Sequence, residues 1–148
     1  MTLRRDEAGQ VGGIEAVVFG VLVFVVGTLV VANAWGVIDA KLAASAAARE
    51  AARAYVEAPA AADAESLARQ AADDALAGHG RDPARMSMRV VSGAFSRCDR
   101  VTVEVRYPVP LLALPWIGHA GTGFTAAARH SEVVDPYRAG LTGSARCG

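Results

Sequence analysis

The sequence lacks the usual signatures of catalysis. HExxH and GxSxG are both missing, and no cysteine stands in a Cys-His nucleophile signature. His79, His119 and His130 have no cysteine or carboxylate neighbours at metal-ligand spacing, so they read as surface or loop histidines. GHAGTG (Gly118 to Gly123) has the glycines of a phosphate loop but neither the Lys-Ser/Thr ending nor a following helix. It reads as a glycine turn. No enzyme, metal site or cofactor is therefore expected.

Charge of one sign is also lacking. Fifteen basic residues balance fifteen acidic ones and the pI is about 6.8, which provides no electrostatic footprint for nucleic acid. Aromatics make up only 6% of the chain, so any folded core is light. Two cysteines, Cys98 and Cys147, are too few for a disulfide framework and are not spaced as a metal site. On an oxidising side of a membrane they would close a loop worth roughly 3–4 kcal/mol. The alternative is two unpaired thiols, one of them in the tail.

What the chain does have is one long apolar run. From Ala16 to Ala32 there is no charge, and Thr28 is the only hydroxyl. As a helix, Ala16 to Trp35 rises about 30 Å, the thickness of a bilayer's hydrocarbon core. The run exceeds the roughly 7–15 residues of a signal h-region. The nearest small-residue cleavage candidate, Ala43 to Ser45, falls inside a helical pattern. A retained single span is expected. Arg4 and Arg5 precede it and only Lys41 follows closely, which puts the amino end in the cytoplasm and the remainder outside.

Within the span Gly13, Gly20, Gly27 and Ala34 recur every seven residues. Small residues on one slowly drifting face let another helix approach closely, the main source of attraction between helices in lipid. Glu15 stands immediately before the run. An ionisable group drawn into the bilayer costs about 3 kcal/mol unless paired. A neighbouring chain's amino terminus would remove that cost at one axial offset, making Glu15 a register pin. In the simpler reading Glu15 rests among headgroups, favoured by the helix macrodipole.

Beyond Trp35 the helical pattern turns amphipathic. Val37, Ala44, Ala48, Ala51 and Tyr55 fall on one face, with Arg49 and Arg53 opposite. Pro59 ends it near Glu57. A second helix is expected over 60–77, with Ala64, Leu67, Ala68, Ala71 and Ala75 inward and Gly78 as its stop. Strands are expected near 86–92, 100–107 and 124–134, the second carrying the clearest alternation (Val101, Val103, Val105, Tyr107). PVPLLALPWIG (Pro108 to Gly118) is apolar, but its three prolines make it a loop and not a central strand. Residues 135–148 read as an irregular, poorly anchored tail.

The leader RRDEAGQVGGIE, the span, AAREAARAY (Ala47 to Tyr55), the terminal strand and HSEVVDPYR (His130 to Arg138) together resemble the TadE-like proteins. These are minor pilins, or pseudopilins, of the tight-adherence machinery that builds Flp-type (type IVb) pili. The resemblance implies a pilin-like α+β fold, with a polar leader at 1–13 and a transmembrane half-helix at 14–35. An extracytoplasmic α+β domain would follow at 36–134. It also implies cleavage by a prepilin peptidase after Gly9, with Glu15 as the acid of the mature helix. The partners would be other pilin-like subunits and the pilus assembly platform, with the chain stored in the bacterial cell membrane and entering surface pili. Cleavage after Gly9 makes Glu15 the sixth residue, where family members usually place the acid fifth. The competing class is a single-pass anchored binding module that never polymerises.

Overall fold

The computed structural model describes residues 8–109, 112–114, 118–120 and 123–147, with side-chain detail beginning at Gly13 and lacking across 110–122. The fold is α+β. Helix α1 (Ala8–Glu57) is followed by α2 (Ala61–Gly78), a 3-10 turn at Pro83–Arg85, and strands β1 (Ser87–Ser92) and β2 (Arg100–Val109). Strands β3 (Leu112–Leu114), β4 (Gly118–Ala120) and β5 (Phe124–Val133) complete it. Contacts divide the chain into two compact units, 1–35 and 36–148. The leader up to Glu7 lies outside the described residues.

The first unit is helical throughout its described part. Its large apolar side chains, from Ile14 and Phe19 to Trp35, are exposed except for the half-buried Leu29. Among the described residues, α1 is the one helix long and apolar enough to cross a membrane. Two polar side chains inside it are satisfied by the helix itself. Thr28 Oγ1 donates to the Phe24 carbonyl and Asn33 Nδ2 to the Leu29 carbonyl, each at 2.8 Å. Such back-bonding spares a polar group the several kcal/mol that unsatisfied burial in lipid costs.

The second unit is built on alanine. Ala40, Ala43, Ala44, Ala47, Ala48, Ala51 and Ala52 of α1 are all fully buried. Their spacing of three and four residues makes one continuous face. Side chains this small let α2 and the sheet approach closely. Val37 and Tyr55 are only half-buried at the margins, while Arg49 and Arg53 are exposed on the far side. Arg53 Nε meets Glu57 Oε1 at 3.0 Å on that solvated face.

Helix α2 buries Ala64, Ala68, Ala72 and Leu76, a stripe of exact i, i+4 spacing. This turns the expected inward face: Ala71 and Ala75 are only half-buried beside it, and Ala72 and Leu76 replace them at the centre. Leu76 is the largest fully buried side chain of the chain's described residues, and it selects the face that alanines alone leave ambiguous. The helix closes with backbone hydrogen bonds from His79 and Gly80, and Arg81 N donates back to the Leu76 carbonyl at 3.0 Å.

The main sheet is antiparallel in the order β1-β2-β5, so the strand with the clearest alternation is central. Met88 lies opposite Val105, and Val90 opposite Val103; on the other side Ala128 faces Val105 and Ala126 faces Tyr107. Val101, Val103, Val105, Tyr107 and Val109 are buried on the face that meets the helices. Pro108 lies inside β2, but the β1 register ends at Arg106, so β2 has β5 alone beside it there. That open side tolerates a residue with no N–H. The β1–β2 connection depends on Gly93 (φ +93°): a Cβ there would lie 2.4 Å from the Arg100 carbonyl oxygen.

Two expectations are corrected. The apolar segment 108–118 is not all loop, because β3 and β4 pair as a short antiparallel hairpin from Leu112↔Ala120 to Leu114↔Gly118. In the sequence, Pro110 and Pro115 fall outside both hairpin strands, and Pro108 belongs to β2. The tail is irregular but well anchored. Cys98 and Cys147 form a disulfide across 49 positions, and Arg97 N donates to the Thr142 carbonyl at 2.9 Å. Leu141 packs against the core.

Candidate assembly surface

The sequence-derived site residues Gly13, Glu15, Gly20, Gly27 and Ala34 all lie on α1 in the first unit. A Cβ built at Gly13, Gly20 or Gly27 would meet nothing within 4 Å. These glycines are therefore not required by packing within the chain. Gly27 floors a shallow groove flanked by Val23, Phe24, Thr28, Val31 and Trp35, with no titratable group among them. Such a groove accepts a ridge of apolar side chains and offers no chemistry to a substrate. Glu15 is exposed, and among the described residues no cation pairs with it. Gly9 is helical in its backbone, within the first turns of α1.

The second unit's polar groups are used internally. On the sheet face away from the helices, Glu104 is 1% exposed beneath three arginines, each roughly half exposed. Arg106 Nε and Arg129 Nε (2.7 Å) donate to its two carboxylate oxygens, and Arg89 Nη2 adds a third bond at 3.1 Å. The register explains the cluster: Glu104 lies directly opposite Arg89 on β1 and Arg129 on β5. The Arg106 hydrogen bond, then that of Arg129, lowers the Glu104 pKa from 4.5 to about 2, against burial, which would raise it. The carboxylate stays ionised near neutral pH, is fully engaged, and has no proton to exchange there.

Arg138 performs a comparable task at the end of α1. Its guanidinium donates to the carbonyls of Val56 (2.7 Å) and Ala58, and its Cζ lies 5.2 Å from the Phe95 ring centre. Phe95 in turn stacks edge-on against Tyr55. A cation at a helix C-terminus satisfies orphan carbonyls and complements the macrodipole. Arg81, from the turn after α2, likewise donates to Asp39 and to the Gly36 carbonyl. Sequence reading did not find these roles. Alternation along β2 puts Glu104 and Arg106 on the same polar face, but Arg89 and Arg129 come from strands 15 and 25 residues away and appear only with the register.

Among the described residues no three His, Cys, Asp or Glu side chains gather to hold a metal ion. His130 Nε2 lies 3.0 Å from its neighbour Glu132, both partly exposed. The His119 side chain lies outside the described residues. Compared with known protein families, curated proteins and solved structures, the chain has no match in any of the three.

Proposed function

We propose that the chain is a pilin-like assembly subunit, a minor pilin or pseudopilin of a tight-adherence type IVb pilus. In this reading it is stored in the bacterial membrane with its amino end cytoplasmic, and it acts by packing, not by catalysis. The observation that carries the proposal is the contrast along α1. From Ala40 to Ala52 the small-residue face is consumed by the chain's own core, while Gly13, Gly20 and Gly27 open onto empty space. Lipid alone does not need a heptad of small residues; a neighbouring helix does. The partners are other pilin-like subunits and the assembly platform, with prepilin peptidase acting after Gly9.

Glu15 sets the axial register in this scheme by pairing with a neighbour's freed amino terminus. Glu15→Ala should leave membrane insertion intact and lower the yield of chain in sheared surface fibres. Unchanged fibre yield would remove the register role. Intact mass of the chain from native membranes and from fibres tests the class itself. Loss of Met1 to Gly9 is expected; a full-length chain never recovered in fibres would identify an anchored binding module.

A further inference from the structure

We infer that one end of the second unit is a membrane-seating foot, formed by Ile38 and Leu42 of α1 and Phe124 at the start of β5. These three side chains are 53%, 60% and 61% exposed; among the described residues of the second unit, the other exposed large apolar side chains are Val91, Val133 and Tyr137. They border a concavity of about 420 Å³ completed by Val37, Thr125 and Ala126. Ile38 and Leu42 share a helix face by their i, i+4 spacing. Lys41 Nζ donates to the Ala127 carbonyl, which fixes an ammonium at the rim of this apolar surface.

The chain itself indicates the occupant. This inference rests on the reading of 16–35 as a bilayer span. Ile38 is three residues after Trp35, so covalent reach alone keeps it within about 11 Å of that residue. The polar layer outside the hydrocarbon is only about 5–8 Å thick on each side. Phe124 closes the ladder opposite Val109, so the connection between them, containing the sequence PLLALPWIG, leaves and returns at this same end. Apolar side chains with a cation at their rim suit the boundary between acyl chains and phosphates. The occupant is therefore a phospholipid surface, engaged while the chain is stored in the membrane.

The test uses the full chain reconstituted at low density into phosphatidylcholine vesicles, with Trp35→Phe and Trp116→Phe as the background. Phe124→Trp then reports the foot, Leu42→Trp reports it independently from the helix, and Tyr137→Trp serves as an exposed control. Seating at a depth of about 5–10 Å should make brominated lipid cut emission at positions 42 and 124 by about half, with position 137 nearly unchanged. Aqueous iodide should show the opposite order. Positions 42 and 124 quenched by iodide and not by bromolipid would overturn the foot. So would protection from both quenchers that disappears on dilution, which marks a second copy as the occupant. Alkaline extraction of the same vesicles separates the two readings: a chain retained but unquenched loses only the foot, whereas a chain released loses the span and the foot together.

Discussion

The two parts of α1 carry small residues for opposite reasons. In 36–57 seven alanines are fully buried beneath α2 and the sheet, so each Cβ already has neighbours from its own chain. In 13–35 the glycines have no such neighbours, and the large side chains between them are exposed. An alanine face in water is held by the hydrophobic effect and by close packing of a light core. A glycine face in lipid gains only from contact with another surface of matching shape. The same residue class thus specifies folding in one part and, in our proposal, association in the other.

The sharpest way to break this comparison is to loosen the second unit alone. Cys98→Ser with Cys147→Ser reopens a 49-position loop and should cost about 4 kcal/mol of second-unit stability by chain entropy. Denaturant melts of the protein with and without reductant measure it, and membrane retention should not change. Ala48→Leu forces a large side chain into the fully buried face and should cost about 1–3 kcal/mol. Gly20→Leu adds an even larger increment to open space and should leave the melt unchanged while lowering fibre yield. Arg138→Ala uncovers the last carbonyls of α1 and should cost about 1.5–3 kcal/mol as charged hydrogen bonds are lost.

A gentler distinction comes from acid. The Glu104 pKa is depressed in the folded chain, so its stabilising contribution is fully present above the unfolded value near 4.5 and is lost as pH falls toward about 2. Melts across that window should lose stability in the parent. Glu104→Gln should flatten the loss, and the first unit's membrane retention should be indifferent to both. The smallest effect belongs to Gly20→Ala, which should change second-unit stability by less than about 0.5 kcal/mol, as expected for a surface site.

Much of the fold was legible because its signals are local. The uncharged run, the stop at Pro59 and the alternation from Val101 to Tyr107 each follow from one short stretch and its period. The face of α2 was less legible, since alanines on several sides of a helix give the period little contrast; Leu76 decides it. The β3–β4 hairpin was hidden by prolines that flank its strands. Arg138, Arg81, Arg89 and Arg129 act across 15 to 82 positions, and no local pattern announces such partners. Of the candidate site, the seven-residue spacing of small residues was readable from sequence, whereas its openness depends on where the rest of the chain packs.

Cysteine-scanning cross-linking across residues 13–34 in native membranes tests the contrast most directly, with Cys98 and Cys147 left in their disulfide. Copies packed through the small-residue face should cross-link most at positions 13, 20, 27 and 34, with minima between them. A flat profile around the helix, or none above background, would contradict the account.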